Sequence, residues 1–257
     1  MYRLVKRIID IILSTIALLV LSPFFVICIV VLACTGEHEI WYLQKRIGYK
    51  NRPFKIFKFV TMVNNSPKLG TGSITLRNDP RVLPFGRILR MTKINELPQI
   101  FNIINGTMSL VGPRPLMKVD FCRYPEDIQQ VIYNSKPGAT GIGSIIFRDE
   151  EKYLSTPGID PIKFYIDEIA PYKGDLEIWY QNNASLWVDT KIIFLTAWVI
   201  IFSNSCLPHK WLKDLPARPK WMGYYWKYGS FDGHFKGRTV IPEFINNSII
   251  ENKDRDD

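Results

Sequence analysis

"IIDIILSTIALLVLSPFFVICIVVLAC", residues 8 to 34, is an apolar run whose only charged residue is Asp10. Its 27 residues are enough to cross a bilayer as a helix. The run is too long for the apolar part of a secretory signal peptide, and no small-residue cleavage site follows it. It therefore predicts a membrane segment that remains part of the working protein.

The Ser22-Pro23 pair near the middle of this run bears on how the segment meets the membrane. Proline lacks a backbone N–H and clashes with the preceding turn, so the helix is expected to kink or break there. Two topologies suit the pattern: a kinked single span, or a re-entrant hairpin that enters and leaves by the same face. Arg3, Lys6 and Arg7 precede the run and favour a cytoplasmic N-terminus.

The composition of the whole chain favours the hairpin. Lysine and arginine number 33 against 24 aspartate and glutamate, a formal charge of +9, which favours anionic partners such as phosphates and membrane lipid. No zinc spacing or nucleic-acid-binding motif appears, so nucleic acid is not expected as a partner. The four cysteines show no paired spacing, which suits a reducing compartment. With the N-terminus also inside, the segment must return to the face it entered.

The expected fold class is mainly α with minor β. It comprises the membrane segment in residues 1–36, a compact cytoplasmic domain in residues 37–205 with interfacial amphipathic helices, and a Trp/Tyr-rich C-terminal extension in residues 206–257. Residues 39–62 suit either a hairpin or a short helix on the membrane surface. Residues 184–205 have an apolar core too short to span a bilayer and predict an interfacial or packed helix.

Residues 92–115, "TKINELPQIFNIINGTMSLVGPRP", carry the candidate chemistry. Apolar residues recur at helix spacing from Leu97 to Ile104, and Asn95 is predicted to be the N-cap of this helix. Glu96 would lie in the first turn. There it could hold a hard cation such as Mg²⁺, or it could only stabilise the helix dipole.

Several basic residues lie near Glu96 in the sequence: Arg77, Arg81, Arg87, Arg90, Lys93 and Arg114. Arginine binds phosphate oxygens through a planar fork of two hydrogen bonds. Pro113 and Pro115 should hold Arg114 in a stiff, extended backbone. These parts suit phosphoryl transfer, in which positioning and charge neutralisation dominate. The alternative is a solvated basic face that meets acidic lipid.

Three stretches resemble the bacterial sugar transferases known as monotopic phosphoglycosyl transferases: "LQKRIGYKNRPFKIFKFVTM", "NDPRVLPFGRILRMTKINELPQIFNIINGTMSLVGPRP" and "KPGATGIG". The resemblance covers roughly residues 2–205. It implies transfer of a sugar 1-phosphate from a UDP-sugar to undecaprenyl phosphate, with release of UMP, at the cytoplasmic face of the bacterial inner membrane. This reaction begins a surface glycan. The family's re-entrant helix carries a Ser-Pro break, which matches Ser22-Pro23 and favours the hairpin.

The resemblance also implies roles for single residues. Glu96 matches the family's Mg²⁺ ligand. The neighbouring aspartate of the family is the nucleophile that forms an aspartyl-phosphosugar intermediate, and here it is Asn95. The remaining matches are substrate- and phosphate-binding residues: Lys58, Arg90, Arg114 and, by a looser alignment, Arg148.

Asn95 puts the activity in question because a neutral amide oxygen is a poor nucleophile towards a phosphoanhydride. Three explanations stay open. The chain is a variant made to trap substrate, or a natural lineage in which Glu96 or another group takes over, or an inactive relative that only binds UDP-sugar and polyprenyl phosphate. Val60 for Arg and Thr107 for Asp are lesser departures. The sequence reveals neither the sugar nor the oligomeric state, so a homodimer stays open.

Overall fold

The computed structural model describes residues 1–36, 38–64, 66, 79–156, 159–202, 205–219 and 221–222, and the backbone of two short strands beyond them. The helices are α1 (Tyr2–Cys34), α2 (Pro84–Met91), α3 (Gln99–Ile104), α4 (Lys118–Phe121), α5 (Glu126–Val131), α6 (Ile142–Ile146), α7 (Glu150–Leu154), α8 (Pro161–Phe164), α9 (Ala170–Asn183), α10 (Leu186–Ile201) and α11 (Leu207–Trp211). The strands are β1 (Trp41–Ile47), β2 (Pro53–Phe59), β3 (Ser109–Val111), β4 (Gly138–Thr140), β5 (His234–Phe235) and β6 (Arg238–Thr239). The prediction of a mainly helical fold with small sheets is confirmed.

Each small sheet pairs two strands. β1 and β2 form an antiparallel hairpin with Trp41 opposite Phe59, so residues 39–62 adopt the hairpin and not the surface helix. β3 and β4 pair in parallel, with Ser109 opposite Gly138. This second pairing places the loop motif "VGPRP" next to the loop motif "KPGATGIG".

Within the described ranges, α1 is the one helix long and apolar enough to cross a membrane. Helix α1 continues through Ser22-Pro23, so the predicted break is absent. A bend at this position without a break stays a prediction. Pro23 has no N–H to give to the Leu19 carbonyl one turn earlier. The Ser22 hydroxyl donates a hydrogen bond to that carbonyl at 2.8 Å. Serine therefore replaces the donor that proline removes.

One face of α1 packs against the rest of the chain along most of its length. Its buried residues are Asp10, Ser14, Phe25, Cys28 and Leu32. The three apolar ones share a core cluster with Phe59, Leu89 and Ile100. The outer face is apolar and exposed from Ile8 to Val30. A helix that is apolar on its exposed side as well as its packed side suits contact with lipid.

The first turns of α1 are attached to the rest of the chain by polar contacts. Lys6 forms a 2.7 Å ion pair with Asp189 of α10. Asp10 accepts hydrogen bonds from the Ser109 hydroxyl at 2.8 Å and from the Leu110 N–H at 3.1 Å. Charged residues at the start of the apolar run thus hold the helix to the domain, besides any effect on topology.

The main core lies among α4 to α10 and β3, and it extends into the C-terminal segment. Trp221 and Met222 are buried in this core, where the Trp221 ring lies 5.5 Å from that of Tyr153 and 5.2 Å from that of Phe164. Within the predicted extension at residues 206–257, Trp221 and Met222 therefore belong to the main core. The aromatic residues Tyr224, Tyr225 and Trp226 lie outside the described residues.

Candidate active site

The predicted pair Asn95-Glu96 lies in a single 3₁₀ turn, Ile94–Glu96, between α2 and α3. Asn95 does not cap α3, because the N-cap is Pro98 and Asn95 lies inside the preceding turn. The cap prediction is wrong. The Asn95 side chain is buried, and its Oδ1 has no hydrogen-bond partner among the described residues. The structure thus places an unused amide oxygen next to Glu96 in the chain.

Glu96 lies between two cations from separate parts of the chain. Its Oε1 is 3.2 Å from Lys58 Nζ and 3.5 Å from Arg114 Nη2. Burial alone would raise the pKa of Glu96, but the charges of Lys58, Arg114 and Lys93 outweigh it and hold this pKa well below its usual range. Glu96 is therefore ionised at neutral pH.

The surroundings of Lys58, at the end of β2, make its protonated form less favourable than in water. Burial lowers the pKa of Lys58 to about 8, and the charges of Arg46 and Arg114 act in the same direction, against the attraction of Glu96. A lysine with such a pKa is still mostly protonated at pH 7. Its charge is lost at mildly alkaline pH.

Asn102 fixes the strand that carries Lys58. Its Oδ1 accepts a hydrogen bond from the Phe57 N–H at 2.9 Å, and its Nδ2 donates to the Lys55 carbonyl at 2.8 Å. Arg46 in β1 similarly donates to the Pro115 carbonyl at 3.1 Å. Sequence reasoning missed both residues. The available signal for Asn102 was a polar residue within the apolar stretch "QIFNII".

Arg114 lies on a stiff loop that packs closely against the segment around Gly138. Pro113 and Pro115 are buried, whereas the Arg114 side chain is 45% exposed. The Gly138 N–H donates to the Pro113 carbonyl at 2.9 Å. A Cβ on Gly138 would lie 2.1 Å from the Gly112 nitrogen. The two loops can approach this closely only because glycine stands at that position.

The other predicted basic residues lie further from Glu96. Arg90 of α2 is 3.8 Å from the Glu151 carboxylate of α7, at the edge of the cluster. Arg148, in the turn between α6 and α7, makes no hydrogen bond or ion pair in the described part of the chain. Arg87 is exposed on α2.

One more arginine of the predicted basic cluster does not contribute to it. Arg81 is buried and forms a 2.6 Å ion pair with Asp79, so its contacts serve the fold. Arg77 lies outside the described residues.

The two lesser departures also serve the fold. Val60 is buried. The Thr107 hydroxyl donates to the Asn102 carbonyl at 3.2 Å and so closes the end of α3.

A divalent cation would find few protein ligands here. The described residues contain no group of three or more His, Cys, Asp or Glu side chains that could hold a metal. Glu96 offers a carboxylate and Asn95 an unpartnered amide oxygen. Mg²⁺ commonly takes one or two carboxylates together with substrate phosphate oxygens and water. Glu96 therefore offers one carboxylate to a Mg²⁺ ion that arrives with a phosphate-bearing substrate.

Comparison with known proteins identifies the family of the chain. Residues 1–203 match the profile of the family described as "Bacterial sugar transferase". The chain is 33% identical over 213 residues to the undecaprenyl-phosphate galactose phosphotransferase of Salmonella typhimurium, covering 77% of this chain and 41% of that protein. It is 31% identical over 202 residues to the UDP-N-acetylgalactosamine-undecaprenyl-phosphate N-acetylgalactosaminephosphotransferase of Aeromonas hydrophila, covering 78% and 44%.

A shorter relative is matched over most of its length. The exopolysaccharide production protein ExoY of Rhizobium meliloti is 30% identical over 214 residues, which cover 77% of this chain and 86% of that protein. The chain spans less than half of the Salmonella and Aeromonas relatives. Since the profile match runs from the start of α1 to just past the end of α10, the chain belongs to the bacterial sugar transferase family.

Proposed function

We propose that the chain is a membrane-bound phosphoglycosyl transferase, which moves a sugar 1-phosphate from a UDP-sugar to undecaprenyl phosphate and releases UMP. The observation that carries the proposal is Glu96 held between Lys58 and Arg114. The printed names of the relatives from Salmonella typhimurium and Aeromonas hydrophila support the donor and acceptor classes.

The position of the site suits a lipid-borne acceptor. Ile94 and Leu97, which flank the Asn95-Glu96 pair, pack in the same apolar cluster as Phe25 of α1. A phosphate at the end of a polyprenyl chain would therefore meet the cationic side chains beside the helix that contacts lipid. This supports substrate entry along the membrane surface.

Binding and charge neutralisation account for most of the chemistry that these residues can perform. Arg114 offers a planar fork to phosphate oxygens, and Lys58 offers a point charge. Glu96 keeps both cations oriented through its ion pairs. Mg²⁺, which Glu96 would hold, would supply further neutralisation of the phosphate oxygens. Preorganised charges of this kind stabilise the transition state of phosphoryl transfer.

The membrane arrangement is proposed to be re-entrant, with the catalytic domain on the cytoplasmic face of the bacterial inner membrane. One stripe of α1, from Asp10 to Leu32, packs against a single body. A helix that crossed the hydrocarbon core of about 30 Å would have its ends on opposite faces. α10 adds Trp187 and Ile201, which are 67% and 74% exposed and suit an interfacial position.

A second candidate function is binding of UDP-sugar and polyprenyl phosphate without turnover. The observation that favours it is Asn95, which lacks the carboxylate that the family uses as nucleophile. A natural lineage with another nucleophile and a substrate-trapping variant are the remaining alternatives. All three share the same binding chemistry, and a phosphosugar adduct would form only in the natural lineage with another nucleophile.

A UMP-release assay over a panel of UDP-sugars with undecaprenyl phosphate tests the proposal. The parent chain, Asn95→Asp and the exposed control Asn105→Asp should be assayed side by side. We expect UMP release by the parent that requires undecaprenyl phosphate. Turnover in Asn95→Asp alone would support the binding function or the trapped variant, and no turnover in any of the three would contradict the proposal. Mass spectrometry would locate any phosphosugar adduct.

A further inference from the structure

Arg7, in the second turn of α1, contacts the C-terminal end of α3. Its Nη2 donates a hydrogen bond to the Ile104 carbonyl at 2.7 Å, and its Nη1 donates to the Ile103 carbonyl. These carbonyls belong to the last two residues of α3. The last carbonyls of an α-helix have no partner N–H within the helix, so they need donors from elsewhere. Arg7 supplies such donors from a segment 96 residues earlier in the sequence.

The chain directly after α3 leaves room for this guanidinium. Gly106 has a φ of +85°, and a Cβ at this position would lie 3.1 Å from Arg7 Nη2. The same Cβ would lie 3.5 Å from Nζ of Lys136, which leads into the "PGATG" turn. The last turn of α3 has no basic residue of its own. The cations that complement the negative end of its dipole are therefore supplied by other parts of the chain.

The position of α3 affects both members of the Glu96–Lys58 ion pair. At its N-terminal end the helix is joined to the turn Ile94–Glu96, where the Leu97 N–H donates to the Ile94 carbonyl at 3.0 Å. In its middle, Asn102 bonds to the backbone of β2, the strand that carries Lys58. A displacement of α3 would therefore disturb Glu96 and Lys58, whose charged atoms lie 3.2 Å apart.

The contacts of Arg7 are separable from its charge. A positive charge before a membrane segment affects topology, and Arg3 carries the same charge on the same helix. Arg3 is exposed, and its side chain makes no hydrogen bond or ion pair in the part of the chain that the structure describes. A guanidinium presents its N–H groups in one plane, whereas an ammonium is a point charge. Lysine at position 7 would therefore keep the charge and lose the planar contact with two carbonyls.

We propose that Arg7 is a positioning residue, whose guanidinium fixes the C-terminal end of α3 and thereby keeps Glu96 and Lys58 in contact. The proposal rests on the proposed function, because it takes this ion pair as part of the active site. The start of the membrane helix then supports the site as well as anchoring the chain.

Hydrogen–deuterium exchange in nanodiscs tests the structural link without any substrate. The variant is Arg7→Lys, and the matched control is Arg3→Lys, which also keeps its charge. The N–H groups of Asn105 and Gly106 donate to carbonyls of α3, so their exchange reports on the end of this helix. We expect them to exchange about tenfold faster in Arg7→Lys and at the parent rate in the control. Equal exchange in all three proteins would overturn the proposal.

Steady-state kinetics of UMP release test the functional link, in the parent or, if only that variant turns over, in Asn95→Asp. Arg7→Lys should lower kcat about tenfold, whereas KM for the UDP-sugar should change less than about twofold, because Arg114 lies on a different loop. Arg3→Lys should leave both values unchanged. An unchanged kcat in Arg7→Lys would mean that only the charge of Arg7 matters, and it would overturn the proposal.

Chemical rescue separates positioning from general damage to the fold. Arg7→Ala leaves a gap at the end of α3 that methylguanidinium is small enough to enter. Added methylguanidinium should raise kcat of Arg7→Ala severalfold and leave that of the control Arg3→Ala unchanged. A rate in Arg7→Ala that does not respond to methylguanidinium would indicate general damage and overturn the proposal.

The two proposals fail in different ways. If UMP is released but the exchange rates, kcat or the rescue contradict the expectation, only the role of Arg7 is lost. If neither the parent nor Asn95→Asp turns over any UDP-sugar, the proposed function fails. The role of Arg7 in the reaction then fails with it, and the exchange rates still show whether Arg7 fixes α3.

Discussion

Glu96 and Glu177 are two carboxylates removed from solvent to different extents, and their surroundings push their pKa values in opposite directions. Glu96 meets the Arg114 guanidinium, with the Lys58 ammonium also within hydrogen-bonding distance, and its pKa is held well below the usual range. Glu177 is buried on α9, and burial raises its pKa to about 7 against the opposing charge of Lys173. The comparison shows that full positive charges at contact distance, more than burial, decide which carboxylate stays ionised here.

The two carboxylates contribute to stability with opposite dependence on pH. The folded-state pKa of Glu96 lies below its unfolded value of 4.5, so its contribution is present above pH 4.5 and is lost as the pH falls below it. The folded-state pKa of Glu177 lies above 4.5, at about 7. Its contribution is therefore fully present below pH 4.5 and is lost as the pH rises to about 7.

The largest expected effect comes from Glu96→Gln. The amide keeps the shape but removes the charge that orients Lys58 and Arg114, so we expect UMP release to fall on the order of a hundredfold or more. The exposed Glu126→Gln on α5 is the matched control and should retain parent activity. Retained activity in Glu96→Gln would show that the negative charge of Glu96 is not essential for UMP release.

Arg114→Lys should have the next largest effect. Lysine keeps the positive charge but cannot offer two parallel hydrogen bonds to one phosphate, so we expect KM for the UDP-sugar to rise about tenfold. Arg123→Lys, whose ion pair with Asp120 lies at 3.1 Å, serves as the control. An unchanged KM in Arg114→Lys would show that a point charge is sufficient at this position.

Lys58→Arg should change the shape of the pH profile. Because the pKa of Lys58 is about 8, the parent should lose kcat/KM severalfold as the pH rises through that value. Arginine stays protonated across this range, so the variant should not show this fall. If the fall persists in Lys58→Arg, another group titrates and Lys58 is not its source.

The smallest expected effect is on stability, in Glu177→Gln. A pKa raised from 4.5 to about 7 corresponds to about 3 kcal/mol of free energy of unfolding lost by the parent between low and neutral pH. Glu177→Gln has no carboxylate to titrate at this position and so lacks this loss. The difference in Tm between parent and variant should therefore change by several degrees between pH 5 and pH 8, which are about the limits of the titration. Parallel Tm curves would show that Glu177 does not titrate in this range.

Sequence reasoning predicted the local elements of the fold better than their contacts. The apolar run predicted α1, and helix spacing from Leu97 to Ile104 predicted α3, which begins at Gln99. The prediction that Asn95 caps α3 is wrong because the chain enters α3 through the 3₁₀ turn Ile94–Glu96. The N-cap of this turn, Lys93, has a φ of 61°. That conformation is rare for a residue other than glycine, and sequence propensities give little warning of it.

The residues missed at the site share one property. Asn102 and Arg46 are single polar side chains that bond to partners far away in the sequence, 45 residues for Phe57 and Asn102 and 69 for Arg46 and Pro115. Local periodicity carries no information about such pairs. Lys58, Glu96 and Arg114 were grouped through family motifs, and the structure brings these three together.

The contact of Asp10 with β3 has a consequence for how the protein is made. Its two partners, Ser109 and Leu110, follow it by 99 and 100 residues, so they do not yet exist when α1 leaves the ribosome. An unpaired carboxylate is costly inside a bilayer. The carboxylate of Asp10 therefore acquires its partners only after β3 has been synthesised, so the last contacts between α1 and the domain form late in translation.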